Sequence, residues 1–504
     1  MELINLYDYK EKQILLPHEF FMPFGDKLNE KNDWCQLALM IPWLEIEEKY
    51  ADSFKNKRFG QPALPARMAL GALIIQSRET LSDRSVVKAI TENVYMQYFI
   101  GLKGFTKDAP FDASLMVHFR KRFDEKILIE INEMITLAEI ERKRKKKDDD
   151  NDPKSSNDDE PDIFEDSSNE PEEPEEEYQQ GVLILDATCT PADIHFPTDL
   201  RLLNEARESL EEIIDVLYEP LRGKSKKPRT YRKQARKAYL NIDKKKNKTG
   251  KEIRKAIGKQ LRFIQRDLKI VESLMQSAEQ PLLKKRMLKN LYVSGEVFRQ
   301  QMKMYLGKTH QVDNRIVSIH MPFVRPIVRG KAAAKNEFGA KLAVSMVDGY
   351  VFPEVISFDS FNEGLTLKDS VENYKRKFGC YPQVIMADKI YRNRENLQYC
   401  KEKKIRLSGP PLGRPTKDLD LRKEQYSQEK KDTKIRNAVE GKFGEGKRTY
   451  GLGRIAAHLA ETSKSVIVLQ CLTMNLQKRL RSLLCQIFRW TFGKENGTVF
   501  LRVA

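Results

Sequence analysis

Two short apolar runs in this chain each end in a single aspartate, Val182-Leu-Ile-Leu-Asp186 and Val384-Ile-Met-Ala-Asp388. Four consecutive apolar residues between turn-forming residues are typical of a strand that is buried on both faces. Each aspartate is therefore predicted to lie at the carboxyl end of its strand. Ligands of open α/β sheets bind at that end, so the two aspartates are the first candidates for a functional site.

The first part of the chain carries apolar residues at helical spacing. This pattern predicts helices over residues 66–77, 82–99 and 115–138, with Ser82 and Asp112 as the N-caps of the last two. We therefore expect residues 1–142 to form an all-helical N-terminal domain.

One interpretation of the segment Asp112–Phe123 is the second helix of a helix-turn-helix unit that enters a DNA groove. In this interpretation its basic triplet binds DNA through Arg120, Lys121 and Arg122. The alternative is a helix face whose charges are only solvated.

The charge of the chain is unevenly distributed. The formal net charge is +17, yet residues 148–177 contain 16 acidic residues and one lysine, so the rest of the chain carries +32. A basic surplus of this size favours nucleic acid as the partner, because phosphate neutralisation is the main sequence-independent source of such binding. Residues 143–178 have too few apolar positions to fold and are predicted to be a disordered acidic linker. The linker is either a plain spacer or a DNA-mimicking strand that shields the basic surface.

After the first aspartate strand, residues from about 199 to 312 have a helical pattern and are heavily basic. Between Arg222 and Arg266, the aromatic residues Tyr231, Tyr239 and Phe263 alternate with lysines and arginines, as is typical of surfaces that follow a phosphate backbone. We expect this insertion to bind DNA through Lys226, Lys227, Arg232 and Lys233. The alternative is a solvent-facing pair of coiled helices.

Strand and helix patterns then alternate towards the C-terminus. Residues 341–347 and 350–356 predict strands joined at Asp348-Gly349, a dipeptide that favours a type I′ hairpin. Further predicted elements are a helix over 365–377, the strand at Val384, a helix over 393–403 and a strand over 405–407. The predicted fold is an α/β ribonuclease H-like catalytic core at residues 179–490 with a large helical insertion, preceded by an all-α N-terminal domain.

A third acid, Glu440, lies on a predicted helix between two cations. Arg436 and Lys447 are four residues before it and seven after it, so all three fall within about 60° of one helical stripe. This arrangement suits a metal ligand beside phosphates that Arg436 and Lys447 hold. The alternative is a surface salt bridge between Glu440 and Arg436. Glycines at 441, 444 and 446 weaken a helix, and we expect the helix to break or bend near Gly444.

Asp186, Asp388 and Glu440 together form a candidate site for cutting phosphodiester bonds. Two Mg²⁺ ions about 4 Å apart can make a water nucleophilic and stabilise the leaving 3′ oxygen, and Mg²⁺ needs few carboxylates because it keeps several waters. In this hypothesis Asp186 bridges both ions, Asp388 and Glu440 each complete one, and Mn²⁺ can substitute. Taken singly, strand-end aspartates often only cap the following turn.

The spacing of these acids, 202 residues and then 52, and the Arg-x3-Glu-x6-Lys pattern resemble the DDE transposases of bacterial insertion sequences. Further blocks resemble the subgroup with a helical N-terminal domain: Pro110–Ser114, Phe119–Arg122, Asp186-x-Thr188, Phe196–Asp199, Leu202–Asn204, Arg325–Lys331, Glu337–Lys341 and Ala387–Tyr391. The family's usual tyrosine three residues before the arginine is Thr433 here.

The resemblance implies transposition: recognition of terminal inverted repeats, Mg²⁺-dependent hydrolysis that frees a 3′-OH, and attack of that 3′-OH on double-stranded target DNA. We also expect a homo-oligomer, at least a dimer on DNA, with DNA contacts from Arg329 and Lys331. Two alternatives remain, a domesticated DNA-binding protein that has lost catalysis and a metal-dependent nuclease that cuts without joining.

The remaining composition excludes several classes of protein. The six cysteines are scattered without zinc-finger spacing, which argues against a structural zinc site or a disulfide framework. No run of 18 apolar residues occurs, and the N-terminus lacks a signal-peptide pattern. We therefore expect an intracellular protein without membrane association. The resemblance to insertion-sequence transposases further implies a bacterial cytoplasmic location, at the nucleoid when the protein binds DNA.

Overall fold

The computed structural model describes residues 15–54, 62–149, 179–276, 283–331, 334–410 and 418–492. The N-terminal part is helical, as predicted. Its helices are α1 (Asp33–Met40), α2 (Trp43–Asp52), α3 (Ala66–Arg78), α4 (Asp83–Glu92), α5 (Val94–Phe99), α6 (Leu115–Arg122) and α7 (Glu125–Asp149).

One of the two predicted N-caps is confirmed. The Ser82 side chain accepts a hydrogen bond from the Ser85 backbone N–H and caps α4. The prediction for Asp112 is wrong, because α6 begins at Leu115 directly after Ser114. Asp112 instead accepts a hydrogen bond from the Ser114 N–H and closes the turn that precedes the helix.

Two predicted helices are each divided in two. The helix expected over 82–99 is interrupted at Asn93, whose side chain accepts hydrogen bonds from backbone N–H groups in the first turn of α5. The helix expected over 115–138 is interrupted before α7, where Asp124 accepts a hydrogen bond from the Ile127 N–H. In both places a short polar side chain competes with the helix for backbone N–H groups.

Helix α7 runs past the domain boundary predicted at residue 142, so this boundary is wrong for the helix and residues 143–149 are helical. Contacts with the sheet explain the extension, because Lys143 Nζ donates a hydrogen bond to Tyr350 Oη at 3.3 Å. The rest of the predicted acidic linker, residues 150–178, lies outside the described residues.

The strands form one mixed sheet. They are β1 (Val182–Pro191), β2 (Arg325–Lys331), β3 (Ala334–Val347), β4 (Tyr350–Ser357), β5 (Val384–Met386) and β6 (Arg406–Leu407). Their order is β2-β3-β1-β5-β6, with β4 also paired to β3. Strand β1 is antiparallel to β3 and parallel to β5, and β5 is parallel to β6. The hairpin at Asp348-Gly349 has positive φ at both residues, 50° and 75°, as the predicted type I′ turn requires.

The remaining helices lie in the insertion and around the sheet. The insertion contains α8 (Asp199–Tyr218), α9 (Arg232–Asp243), α10 (Gly250–Met275) and α11 (Lys285–Gly307). After the hairpin come α12 (Leu367–Phe378), α13 (Arg394–Glu402), α14 (Leu419–Thr449) and α15 (Ala460–Phe492). Helices α12 and α13 confirm the two helices predicted between residues 365 and 403. No described helix combines the length and the apolarity that crossing a membrane requires.

One apolar core joins the N-terminal helices to the sheet. It contains buried residues of α1 to α7, one sheet face with Ile184 and Met386, and Val439 and Leu472 of α14 and α15. A second cluster covers the opposite face of the sheet. The insertion has a core of its own, which includes Ile264. The N-terminal helices and the sheet are therefore packed together, whereas the insertion is a helical bundle with a separate interior.

Helix α14 is unbroken through all three glycines, so the structure shows no break near Gly444. Gly446 serves packing instead, because a Cβ atom there would lie 2.5 Å from Leu452 Cδ1 and 2.9 Å from Met474 Sδ. The absence of a side chain at this position lets α15 approach α14 closely.

Alanine at two of these glycines is expected to change stability in opposite directions. Gly441→Ala should raise the free energy of unfolding by up to about 1 kcal/mol, because alanine favours a helix and no described side chain beyond the chain neighbours lies within 4 Å of the added Cβ. Gly446→Ala should lower it by about 1–3 kcal/mol through overpacking. Urea unfolding of both variants measures the difference, and equal stabilities would contradict the packing role of Gly446.

Candidate active site

The register of the sheet places the two predicted aspartates side by side. Strands β1 and β5 are paired in parallel, with Ile184 opposite Met386. Asp186 and Asp388 each lie two residues further along the chain, so they reach the same level of the sheet. Because side chains alternate along a strand, Asp186 extends from the face that carries Ile184. This is the face against which α14 packs through Val439.

The predicted strand-end position is correct for Asp388 and wrong for Asp186. Asp388 follows the end of β5 at Met386, whereas Asp186 lies within β1, which continues to Pro191. Strand β1 continues because β3 pairs with it as far as Pro191, although pairing with β5 stops at Ile184. Asp186 thus lies two residues beyond Ile184, the last residue of β1 that pairs with β5.

Asp186 is partly buried beside other charged groups. One of its oxygens accepts a hydrogen bond from the Ala187 N–H at 2.8 Å. Burial is the main reason that the pKa of Asp186 is raised to about 6; the Ala187 N–H lowers it, Glu363 and Asp388 raise it, and Arg436 lowers it. Asp186, Asp388 and Glu363 lie here with two cations, Arg436 and the Lys341 that pairs with Glu363, and the remaining negative charge favours the binding of a cation.

Asp388 is more exposed and makes two contacts. Its side chain accepts a hydrogen bond from the Lys389 N–H at 2.7 Å and caps the 3₁₀ helix Lys389–Tyr391. The turn-capping alternative is therefore present at this residue. In addition, Arg436 Nη1 lies 3.5 Å from Asp388 Oδ1. Arg436 thus pairs with Asp388, and the alternative salt bridge with Glu440 is not found among the described residues.

Glu440 does not join the two aspartates in this structure. Its neighbour Val439 is fully buried and fixes α14 on the sheet, while Glu440 itself is exposed. The described residues contain no group of three or more His, Cys, Asp or Glu side chains placed to hold one metal ion. The structure therefore brings together Asp186, Asp388 and Arg436, and the role of Glu440 stays a prediction.

Sequence reasoning missed an ion pair beside Asp186. Lys341 Nζ of β3 lies 2.9 Å from Glu363 Oε1 and donates a hydrogen bond to Phe361 O at 2.7 Å. Both charged side chains are largely buried, with exposed fractions of 13% and 20%. Lys341 ends the block Glu337–Lys341 on which the family resemblance partly rests, so the sequence pointed to this residue. No motif in the sequence pointed to Glu363.

The turn that holds Glu363 is fixed to the turn that follows Asp388. Asn396 Nδ2 donates hydrogen bonds to Gly364 O at 2.7 Å and to Tyr391 O at 2.8 Å. A Cβ atom on Gly364 would lie 2.6 Å from Ile390 O, so only glycine permits this approach. Hydrogen bonds and close packing within the protein therefore hold together the wall of the site around Asp186 and Asp388.

The two aspartates fit a divalent cation such as Mg²⁺. Each uses one oxygen for a backbone N–H, and no described residue donates a hydrogen bond to the second oxygen of either carboxylate. Mg²⁺ prefers oxygen ligands and is commonly bound by one or two carboxylates together with substrate phosphates. The donor set of Asp186 and Asp388 meets this requirement.

Two of the three basic residues predicted to bind DNA on α6 have partners inside the protein. Arg120 forms an ion pair with Asp83 at 2.6 Å. The Arg122 guanidinium lies 4.4 Å from the centre of the Phe54 ring. Lys121 is exposed between them. Arg120 and Arg122 thus bind partners within the protein, whereas the exposed Lys121 remains accessible to DNA.

The four cations predicted to bind DNA on the insertion fall into two pairs. Lys226 and Lys233 are exposed. Lys227 and Arg232 both bind Asp215, at 2.6 Å and 2.9 Å. The helices predicted for the insertion are confirmed. DNA binding by its exposed lysines stays a prediction.

Three further residues predicted to contact DNA lie on strand β2 and helix α14. Arg329 and Lys331 belong to strand β2, and their side chains lie outside the described residues. Lys447 is half-buried on α14, on the same helical stripe as Arg436. Thr433, in place of the family's usual tyrosine, donates a hydrogen bond to Glu429 O within α14.

Two family models match parts of this chain. One, described as a transposase DDE domain, matches residues 385–477. The other, described as a transposase domain (DUF772), matches residues 22–122. The first match includes Asp388, Arg436 and Glu440. The two matches confirm the predicted resemblance to the DDE transposases of insertion sequences.

One curated relative supports no finer statement of function. This protein of Rhizobium meliloti, "Uncharacterized protein ORF8 in nfe locus", is 34% identical over 112 residues, which are 21% of this chain and 53% of the relative. The chain therefore spans about half the length of this relative. No solved structure matches the chain.

Proposed function

We propose that this protein is a DNA transposase that cleaves DNA at transposon ends and transfers the freed 3′-OH into target DNA. The observation that carries the proposal is the placement of Asp186 level with Asp388 across β1 and β5, beside Arg436 of α14. Two carboxylates and a guanidinium at one edge of a sheet can hold a cation and a phosphate together, as phosphodiester cleavage requires. The two matches to transposase domains support the same function.

The strand order supports a ribonuclease H-like core. Along β4-β3-β1-β5-β6, the first two pairings are antiparallel and the last two are parallel. The sequence predicted the order of these strands and helices along the chain, and it did not predict the order of the strands within the sheet. The insertion follows β1 directly, so the helical bundle begins close to the catalytic edge of the sheet.

Each side chain of the site has a distinct role in this proposal. Asp186 and Asp388 would hold the metal, with Glu440 as the third ligand. Two Mg²⁺ ions, or Mn²⁺ in their place, would supply positive charge for activating water and stabilising the leaving 3′ oxygen. Arg436 holds the scissile phosphate beside Asp388. Lys447 holds the same DNA strand further along the helical stripe of α14.

The proposed partners are DNA and further copies of this chain. The DNA consists of the terminal inverted repeats of the transposon and the double-stranded target. Because two ends must be cut and joined, a homo-oligomer of at least two copies is proposed on DNA. A bacterial cytoplasmic location, at the nucleoid when bound, follows from the same function.

A supercoiled plasmid that carries the DNA flanking this gene tests the proposed function. With Mg²⁺ and a second target plasmid, we expect cuts at the transposon ends and joined products whose junctions can be sequenced. Cuts without joining would favour a metal-dependent nuclease. Binding to the ends without cuts in Mg²⁺ or Mn²⁺ would favour a DNA-binding protein that has lost catalysis.

The exposed lysines of the insertion are expected to follow the DNA backbone without reading bases. The double variant with Lys226→Ala and Lys233→Ala should lower the slope of log affinity against log salt by up to about 2, because each lost phosphate contact accounts for about 0.9. Preference for terminal repeats over random DNA should remain. Fluorescence anisotropy over a salt series measures both quantities. An unchanged slope with a lost end preference would show that these lysines read bases and do not follow the backbone.

A further inference from the structure

A cavity of about 410 Å³ lies where the insertion joins the sheet. Its walls are the loop after β1, the first turns of α8 and α11, residues 317–321, and the residues before α15. The Asp193 N–H donates a hydrogen bond to Ile455 O at 3.1 Å, and the Ile455 N–H donates one to Pro191 O at 2.8 Å. These bonds fix the residues before α15 to the end of β1. The volume lies within the range of small-ligand sites.

Basic side chains outnumber acidic ones in the lining of this cavity. They are Arg201, Arg286, Lys289, His195, His320 and His458. Its two acids already have partners, since Glu205 pairs with Arg201 at 3.2 Å and Asp193 pairs with Arg454 at 2.8 Å. The cavity therefore has a surplus of positive charge.

Two cations of α11, Arg286 and Lys289, belong to the lining. Within the described part of the chain, Arg286 and Lys289 form no ion pair. The Lys289 ammonium donates a hydrogen bond to His320 O at 2.8 Å, and burial lowers the pKa of Lys289. Both side chains are exposed, so an external anion can reach two cations that have no carboxylate partner among the described residues.

The beginning of α11 adds to this positive charge. Its first turn contains no acidic residue, and Lys284 in the N-cap position provides no side-chain cap. The free N–H groups of a helix N-terminus carry partial positive charge, so cations are unfavourable there. An anion bound beside Arg286 would relieve this repulsion.

We propose that this cavity binds a phosphate group of the DNA backbone outside the catalytic site. The proposal rests on the proposed function, because DNA is its ligand. Arg286 and Lys289 contact the phosphate, and neighbouring imidazole groups can donate further hydrogen bonds. From Asp186 to the end of β1 at Pro191 is about 17 Å at roughly 3.3 Å per residue. One bound duplex can therefore reach both the catalytic edge and the cavity, and the insertion and the sheet hold it together.

Two matched double variants of the full chain test the proposal. The variants R286A/K289A and K284A/K285A each remove two positive charges from the start of α11, but only the first pair lines the cavity. Binding of a duplex of about 30 base pairs is measured over a salt series. R286A/K289A should lower the slope of log affinity against log salt by about 1, because the loss of one phosphate contact accounts for about 0.9, and K284A/K285A should lower it by less than about half a unit. Equal slopes for the two variants would overturn the proposal.

A charge-preserving variant separates phosphate binding from misfolding. Lys289→Arg should keep the wild-type slope, because arginine also binds phosphate. A lowered slope in Lys289→Arg together with a lowered melting temperature would show that the residue is structural, and this would overturn the proposal. If the wild-type protein binds DNA and the two double variants behave alike, only the cavity inference fails. If the wild-type protein binds no DNA, the proposed function fails as well.

Free phosphate compounds are the other source of the same chemistry. Melting temperatures are measured with 10 mM inorganic phosphate and with 10 mM thymidine monophosphate. Stabilisation of wild type by either compound, with unchanged DNA affinity in R286A/K289A, would assign the cavity to a free phosphate compound and overturn the DNA assignment. Reduced DNA affinity in R286A/K289A supports the DNA assignment whether or not free phosphate binds weakly.

Site-directed crosslinking locates the bound phosphate. In a Cys485→Ser background the other five cysteines are buried, so Lys289→Cys supplies one accessible thiol. Duplexes with a disulfide tether on single backbone phosphates are compared position by position. We expect a crosslink to one or two phosphates away from the cleavage site. Capture of every position alike, or of none, would contradict a specific phosphate site.

Discussion

Replacement of Asp186 by asparagine is expected to abolish DNA cleavage while DNA binding survives. Asp388→Asn and Glu440→Gln should have the same effect, because each exchange removes a proposed metal ligand without adding bulk. A loss of cleavage rate on the order of 100-fold or more is expected, since metal-supplied charge accounts for several kcal/mol of the barrier. Plasmid cleavage in Mg²⁺ and gel-shift affinity for transposon ends measure the two effects.

Asp420 on the first turn of the same helix α14 offers a matched control. Its side chain is exposed, and Asp420→Asn should cleave like wild type. Cleavage by Asp186→Asn, Asp388→Asn or Glu440→Gln at more than a few per cent of the wild-type rate would contradict the assignment of that residue. Full activity of the intact protein in a chelator would contradict metal catalysis as a whole.

The structure further predicts that the three acids differ in metal binding without DNA. Asp186 and Asp388 lie at one level of the sheet, whereas Glu440 is exposed and belongs to no described cluster of metal-binding side chains. Asp186→Asn and Asp388→Asn should each weaken Mn²⁺ binding about tenfold or more in titration calorimetry. Glu440→Gln should leave Mn²⁺ affinity in the absence of DNA nearly unchanged. Equal losses in all three variants would show that Glu440 already belongs to the free site.

The features that could be predicted from the sequence are those that nearby residues determine. Asp348-Gly349 specifies its hairpin because both positions need positive φ, which this dipeptide tolerates. Ser82 caps α4 through a neighbour three residues away. The position of Asp388 just after its strand could also be predicted, because the apolar run of β5 ends there.

The features that could not be predicted depend on partners far away in the chain. The length of β1 beyond Asp186 is set by its pairing with β3. Gly446 looked like a helix breaker, but its role appears only when Leu452 and Met474 are placed against it. Neither partner was visible in the local pattern.

Charged residues show the same limit of local reasoning. Arg120 looks like a DNA contact in the sequence, yet it pairs with Asp83 on another helix. Lys341 and Glu363 are separated by a strand, and only the fold brings them together beside Asp186. A count of cations along a helix therefore overestimates the number that are available to DNA.

The insertion contains an acid that the catalytic site does not use. Asp267 of α10 is fully buried, and neither of its oxygens accepts a hydrogen bond from the described residues. The charged groups that face it are Glu211 and Arg207 of α8, Arg232 of α9 and Arg266 of its own helix. Burial is the main reason that the pKa of Asp267 is raised to about 7; Glu211 adds to the rise and the three arginines reduce it.

Asp267→Asn is therefore expected to stabilise the protein at alkaline pH. The pKa of about 7 in the folded state exceeds the ordinary value of 3.8. Protonated Asp267 thus contributes stability that is fully present below about pH 4 and is lost as the pH rises to 7. Relative to wild type, Asp267→Asn should gain about 2–4 kcal/mol in unfolding free energy between pH 4 and pH 8. Urea unfolding followed by circular dichroism at both pH values measures the gain. Asp313→Asn, at an exposed acid of the insertion, should show little change between the two pH values, and equal behaviour of the two variants would mean that Asp267 is not buried in its charged form.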